Sequence, residues 1–469
     1  MKCYLAVDIG ASGGRHIVGW LEDGAVHTRE VYRFENGAEM KNGHLCWDAE
    51  GLYRHVVEGM KACREQGFVP VSMGIDTWAV DFALLDQKGE LLGDVVAYRD
   101  SRTEDMDVLL EETMPFSELY RITGIAKQPF NTVYQLMAVL KEQPEYRELA
   151  ADFLLVPEYL SYRLTGKRAH EWTNLSTTAL MDAHTHEWSI EVRRAAGLPD
   201  HWFETPVVEP GTALGSLLDE VRDAVGFDTT VILPATHDTG SAYMAVPARD
   251  EHAAFLSSGT WSLLGVELDH PAAEDACRKA GFTNEGGWGY SVRFLKNIMG
   301  MWMLQCIRSE TGKQYSYAEM AEMAAASGYP AWVDAADNRF LAPQSMLDEV
   351  RAALREQGAP KPETLADVLR AVTVGLAVCY RDSIAEMSRL TGQTFTSVNI
   401  VGGGSQNVTL NRLTAQWTGM PVYAGPTEGT ALGNLAAQMI AGKEFEDLAA
   451  FRAAIPKSFE ITEYRKEDE

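Results

Sequence analysis

Asp8-Ile9-Gly10-Ala11-Ser12-Gly13-Gly14-Arg15 follows an apolar run, Tyr4-Leu5-Ala6-Val7, and leads into a second strand-like segment, Arg15-His16-Ile17-Val18-Gly19-Trp20. The pattern is strand, small-residue turn, strand. Backbone N–H groups in such a turn can approach phosphate oxygens closely, and glycine tolerates the unusual φ this can require. Asp8, at a strand end, is placed to hold Mg2+ through water, and Arg15 to add positive charge. An ordinary hairpin turn with a capping acid would use the same residues. The Gly-Lys-Ser/Thr ending of a Walker A loop is absent.

Outward from this turn, Asp23-Gly24 is a hairpin signal and Ala25 to Tyr32 reads as a third strand. The spacing predicts a helix from about Ala49 to Glu65, then a strand from Val71 to Ile75 ending at Asp76. Asn131 to Lys141 and Pro157 to Leu164 read as helices. Thr229 to Leu233 reads as a buried strand running into Pro234-Ala235-Thr236-His237-Asp238-Thr239-Gly240. Turn residues cluster at Val246-Pro247-Ala248-Arg249-Asp250, which places a domain boundary there and gives domains of residues 1–246 and 247–469. The second half reopens the theme, with strand Ala253 to Leu256, turn Ser257-Ser258-Gly259-Thr260 and strand Trp261 to Val266. A long helix starts at Thr364, where Thr364 and Asp367 form a capping-box pattern and Gly392 is a natural stop. Strand Val398 to Val401 follows and opens into Gly402-Gly403-Gly404. The repeated strand–turn–strand theme suggests an internal duplication.

The bulk properties exclude several classes. A chain of 469 residues, 46% hydrophobic and 23% charged, suits two globular domains. A net charge of −26 repels nucleic acid and anionic membranes, so an ATP site here needs local donors, a cation and an arginine. The N-terminus reaches Asp8 too early for a signal peptide, and no run is long enough to span a bilayer, which implies a cytoplasmic protein. The six cysteines are scattered without a CxxC pair, which argues for reduced thiols and against a zinc site.

Three further stretches carry chemistry. Gly402-Gly403-Gly404-Ser405-Gln406-Asn407 exposes backbone between a strand and a helix, as close approach of a flat or anionic ligand requires, but lacks dinucleotide spacing. In His237-Asp238-Thr239-Gly240 an acid follows a buried strand, where it can take a proton from an attacking hydroxyl or simply cap a helix. Asp76-Thr77-Trp78-Ala79-Val80-Asp81 and Tyr98-Arg99-Asp100-Ser101-Arg102 combine aromatic and polar groups as sugar sites do, and as structural turns also do.

The order of these stretches resembles the FGGY family of carbohydrate kinases, within the actin/hexokinase/Hsp70-like phosphotransferases, over nearly the whole chain. The resemblance implies an α/β fold of two ribonuclease-H-like (actin/hexokinase-type) domains with a central cleft, the sugar mainly on the first domain and ATP on the second. It implies Asp238 as general base. It implies that Ala11, Ser12, Gly13, Gly14 and Arg15, with Thr260, Gln305 and Gly403, bind ATP, and that Asp8 organises Mg2+ through water. It implies that Ala79, His237, Asp238, Thr239 and Asn297 bind a small ketose. The stretches Gly74-Ile-Asp-Thr-Trp-Ala-Val-Asp-Phe82, Ala97-Tyr-Arg-Asp-Ser-Arg102 and Leu295-Lys-Asn-Ile-Met-Gly300 point to L-rhamnulose, phosphorylated at its 1-hydroxyl. L-Fuculose or xylulose is the alternative, and a non-catalytic nucleotide-dependent binding protein on the same scaffold is an alternative of another class. One departure stands out: the pattern usually carries Gly in the segment that here reads Trp78-Ala79-Val80, and an added methyl bears on the choice of ketose.

Overall fold

The computed structural model describes residues 1–466. They form two compact units, which are not two contiguous blocks. The first unit holds Met1–Ala245, Glu267–Phe294 and Thr430–Ser458, and the second holds Val246–Val266, Leu295–Gly429 and Phe459 onward. A single cut between residues 246 and 247 therefore follows the order of the chain but not its packing.

The first unit is built on strands β1 (Tyr4–Gly10), β2 (Gly13–Glu22) and β3 (Ala25–Glu35), helix α1 (Ala49–Glu65), strand β4 (Ser72–Thr77), helix α2 (Thr132–Glu142), strands β5 (Thr212–Ser216) and β6 (Thr230–Leu233), and helix α3 (Asp238–Met244). Its sheet runs β5-β6-β4-β1-β2-β3. β1 is antiparallel to β2 and parallel to β4, and β4 is parallel to β6. Burial on both faces of β1 explains its near-unbroken apolar sequence, whereas β4, buried throughout, carries Ser72, Asp76 and Thr77. Helix α1 starts where the Asp48 side chain accepts from Gly51 N (2.9 Å), and it buries Leu52, Val56, Met60 and Cys63 at helical spacing.

The second unit repeats this arrangement with strands β7 (Ala253–Ser258) and β8 (Ser262–Leu268), helix α4 (Leu365–Thr391), strand β9 (Ser397–Val401), helix α5 (Val408–Thr418), and strands β10 (Val422–Ala424) and β11 (Thr462–Tyr464). β7 is antiparallel to β8 and parallel to β9, β9 is parallel to β10, and β11 closes the row antiparallel. An antiparallel hairpin flanked by parallel strands thus occurs in both units, which is the ribonuclease-H-like pattern that the duplicated strand–turn–strand theme anticipates. Helix α4 begins with the expected capping box, Thr364 and Asp367, and stops at Gly392 with φ 70°.

Helix α6 (Gly429–Ala441) belongs, from Thr430 onward, to the first unit. It packs so closely there that a Cβ on Gly433 would lie 1.7 Å from the Ser241 carbonyl oxygen, and Leu435 fills the space over Gly19. Five of the six cysteines are buried, and Cys306 is half-buried. Among the described residues no helix is long and apolar enough to cross a membrane.

Candidate active site

In the first unit three carboxylates gather because of strand direction. β1, β4 and the segment after β6 run parallel, so the groups at their C-terminal ends share one edge of the sheet. Such an edge is where open α/β sheets place their ligands. Asp8 and Asp76 are register partners on β1 and β4. Thr77 bridges to His237, and its N–H donates to Thr236 O (3.0 Å), which brings Asp238 alongside. Burial, then the neighbouring Asp8 carboxylate, push Asp76 well above the usual carboxylate range. The same two causes, in the same order, push Asp238 up to about 7. Its side chain keeps 32% of its exposure, and Oδ1 accepts from Thr239 N (2.5 Å) and Thr239 Oγ1 (3.1 Å). Asp238 is the first residue of α3 and His237 the N-cap, and only Oδ1 of the acid is committed to a first-turn amide.

Arg15 reaches across the β1–β2 hairpin and donates to Asp8 Oδ2 through Nε (3.1 Å) and Nη2 (2.9 Å). Gly13 and Gly14 have a different reason from the unusual φ expected of them. None of Gly10, Gly13 or Gly14 has positive φ. A Cβ would lie 2.9 Å from Phe34 O at Gly13 and 2.3 Å from the Phe34 ring at Gly14. These glycines let the turn close onto β3, and Ser12 O accepts from Asn36 N (3.2 Å). Ala11 is half-buried and Ser12 exposed at the tip.

Asp76 is fully buried, and its Oδ2 accepts from Asn434 Nδ2 (2.6 Å). Gln438 Nε2 donates to Asn434 Oδ1 (2.7 Å) and Leu5 O (2.9 Å), and Ser72 Oγ donates to Gln438 Oε1 (2.7 Å). Helix α6 thus supplies amides to the buried polar side of β1 and β4. Asp76 Oδ1 remains without a protein partner. Adjacent carboxylates with one unpartnered oxygen suit a nearby divalent cation. Among the described residues no group of three His, Cys, Asp or Glu side chains is arranged to ligate a metal directly.

The loop carrying Asp238 is pinned from behind by Glu171. Its fully buried carboxylate accepts from Thr236 N (2.9 Å), Thr236 Oγ1 (2.7 Å), Thr173 N (2.8 Å) and Thr173 Oγ1 (2.6 Å). Burial, opposed by these bonds, pushes Glu171 up to about 7. His237 is fixed from the side. Arg293 Nη2 lies 3.1 Å from His237 Nδ1 and 3.2 Å from Glu285 Oε2, and Arg293 Nε donates to Gly286 O (2.7 Å).

Ala79 is half-buried beside a tight turn in which Asp81 N donates to Ala79 O (2.9 Å). The left-handed residue is Val80, with φ 69°, a conformation costing about 1–3 kcal/mol for a branched side chain. Thr132 Oγ1 from α2 holds the Val80 carbonyl (2.7 Å). Asp81 gathers Trp47 Nε1 (2.7 Å), Trp78 Nε1 (2.9 Å), Tyr98 N (3.0 Å) and Gln135 Nε2 (3.0 Å), so it ties the aromatic cluster together.

The second unit holds Thr260, Asn297, Gln305 and Gly403. The turn after β7 and the turn after β9 meet because those strands are parallel neighbours. Gly402 has φ 86°, and a Cβ on Gly404 would lie 1.9 Å from Ser258 Oγ. Gly403 is exposed, and a Cβ there would meet nothing within 4 Å. Of the three glycines it alone has no structural need, and it is the one expected under a nucleotide. Thr260 O accepts from Trp302 N (2.9 Å), at the start of the helix Trp302–Glu310 that carries Gln305. Asn297 lies in the strand Val292–Ile298.

Sequence reasoning missed Glu171, Glu285, Arg293 and Asn434 as parts of this machinery. The available signal was an isolated charge inside an apolar strand, as in Val292-Arg293-Phe294-Leu295. Such a charge is rarely buried unless it is paired.

Residues 3–245 match the FGGY family of carbohydrate kinases, N-terminal domain, and residues 254–442 the C-terminal domain of the same family. A protein from Halalkalibacterium halodurans named rhamnulokinase is 45% identical over 100% of both chains. Rhamnulokinases of Oceanobacillus iheyensis and Bacillus subtilis are 42% and 38% identical, over 99% of this chain and 98% and 96% of theirs. Among solved structures, gluconate kinase from Lactobacillus acidophilus superposes with a TM-score of 0.81 at 16% identity, covering 99% of this chain and 93% of that one. Xylulose kinase from the same organism gives 0.79 at 16% identity, covering 99% and 94%. At such identity these structures speak for the fold alone, a two-domain sugar-kinase fold of the actin/hexokinase type. With both family domains matched in order, the chain belongs to the FGGY family of carbohydrate kinases.

Proposed function

We propose that this carbohydrate kinase transfers the terminal phosphoryl group of ATP to the 1-hydroxyl of L-rhamnulose, giving L-rhamnulose 1-phosphate and ADP. The observation that carries the chemistry is Asp238, which opens helix α3 beside the Asp8 and Asp76 strand ends and is pushed up to about 7 by burial and the Asp8 carboxylate, near the pH at which a general base works best. The choice of ketose is supported by relatives named rhamnulokinase at 38–45% identity along the whole chain.

In this mechanism Asp238 accepts the proton of the 1-hydroxyl as the oxygen attacks phosphorus. His237, Thr239, Asn297 and the Ala79 turn orient the ketose. Ala11, Ser12, Gly13, Gly14 and Arg15 face the phosphates in the first unit. Thr260, Gln305 and Gly403 serve ATP in the second. Arg15 offsets the Asp8 charge until phosphate oxygens compete for its guanidinium. Mg2+, associated with Asp8 through water, would supply charge neutralisation on the phosphates when bound. Positioning and electrostatics carry most of such a reaction. A cytoplasmic location, where ATP is plentiful, is part of the proposal.

The test is ADP release with Mg-ATP across L-rhamnulose, L-fuculose, L-ribulose, D-xylulose and a blank. The expected result is the highest kcat/KM with L-rhamnulose. A win for another ketose would keep the kinase and move the specificity to the Ala79 turn. ADP release that no sugar raises above the blank, with ATP still bound, would favour a nucleotide-dependent binding protein.

A further inference from the structure

We propose that Arg293 is a positioning residue that sets the tautomer of His237, so that the ring presents Nε2–H toward Asp238 and the ketose. The tautomer follows from the resting structure alone; its consequence for the reaction rests on the kinase assignment above.

The hydrogen-bond inventory of the two groups leaves little freedom. A guanidinium has donors and no acceptor. Arg293 Nη2 lies 3.1 Å from His237 Nδ1, so Nδ1 must offer its lone pair. The ring proton is then on Nε2, which lies 3.5 Å from Asp238 Oδ1. The groups facing the ring are Arg293, Glu285 and Asp238. Glu285 Oε2 is 3.4 Å from Nδ1 and could accept a proton from it, but that oxygen also faces the Arg293 guanidinium at 3.2 Å. A protonated Nδ1 would point its proton at a cation. An Nε2 lone pair would point at a carboxylate. The assigned tautomer avoids both conflicts.

The arginine is built in. It is fully buried, its Nε is bonded to Gly286 O (2.7 Å), and its guanidinium lies 5.7 Å from the Tyr243 ring centre. It cannot swing away without leaving Glu285 uncompensated in the interior. Burial, and then the Arg293 charge, hold His237 well below the ordinary imidazole range. The ring therefore stays neutral where the enzyme works. A neutral N–H donor can orient a substrate oxygen beside Asp238 without imposing the positive charge that would weaken the base.

The experiment is two-bond 15N–1H correlation NMR on protein labelled at histidine, with His237 assigned by difference against His237→Gln. In the wild type we expect one neutral tautomer, Nδ1 unprotonated and Nε2 protonated, unchanged from pH 6 to pH 9. In Arg293→Met/Glu285→Gln, which removes both charges of the buried pair together, we expect mixed tautomers or protonation near pH 6. The same variant should lose at least tenfold in kcat with the KM for ATP unchanged. Arg293→Lys should restore the wild-type tautomer and part of the rate. An Nδ1–H signal in the wild type overturns the proposal, and so does a double variant with an unaltered tautomer. If the double variant does not fold, the wild-type spectrum still decides. Failure of the ketose panel would sink the kinase assignment while leaving these spectra as they are.

Discussion

Asp8 and Asp76 sit side by side as register partners on parallel strands, with no residue between them to separate their charges. The strain falls on their neighbours: Arg15 is drawn onto Asp8, an amide from helix α6 is drawn onto Asp76, and Asp238 retains its proton to about 7. Like charges crowded at one strand edge repel until a cation or a proton arrives.

Activity should therefore have an acidic limb. The base must be ionised to accept a proton, so kcat/KM for the ketose should fall as pH drops through about 7, with a slope of one proton. A pH profile of ADP release at saturating Mg-ATP measures this. A limb near pH 4 would place Asp238 in an ordinary environment.

Asp238→Asn should lower kcat by about 10²- to 10⁴-fold while ADP binding persists. It should also stabilise the fold at neutral pH. An unfolded Asp releases its proton near ~3.9, the folded one only near about 7. Between those values the folded state binds more protons, so stability falls as pH rises through this window. Melting curves at pH 5 and pH 8 should show the wild type losing more than the variant.

Glu171→Gln should weaken both fold and turnover. The amide has one acceptor oxygen for the four donors of Thr173 and Thr236, and its NH2 must face some of them. A loss of about 1–3 kcal/mol is expected in urea unfolding. A larger fall in kcat than in ketose affinity would mark the displacement of Asp238.

Gly404→Ala should act on the second unit alone. The new methyl would have to displace Ser258, whose Oγ lies 1.9 Å from the Cβ position. Overpacking of this kind costs about 1–3 kcal/mol. Calorimetry with ADP should show at least a tenfold weaker binding. Gly403→Ala, which meets open space, should leave the melting temperature unchanged and weaken ADP only through contact with the ligand.

What was legible in the sequence was local. Helix α1 lies where its apolar spacing placed it, Ala49 to Glu65. Helix α4 begins and ends at the capping residues that sequence rules select. Strands next to small-residue turns were readable because burial on both faces forces an apolar run. The partners of the site were not. Asn434 belongs to a helix whose target lies in another part of the chain, and Arg293 to a strand whose periodicity says nothing of a histidine 56 residues earlier. The glycines at positions 13 and 14 read as part of a turn but open strand β2, and their cause, the Phe34 carbonyl and ring, is a cross-strand contact.

The return of helix α6 to the first unit also sets an order of assembly. Asp76 meets the amide that steadies it only after 358 further residues have been made. A ribosome will have released the whole first sheet, with its carboxylates and the bare surface around Gly19 and Gly74, long before Asn434 and Leu435 can cover it. The first unit cannot mature as an N-terminal block while the second follows at leisure. It waits, and a fragment ending at residue 245 would expose that face to solvent and to other nascent chains.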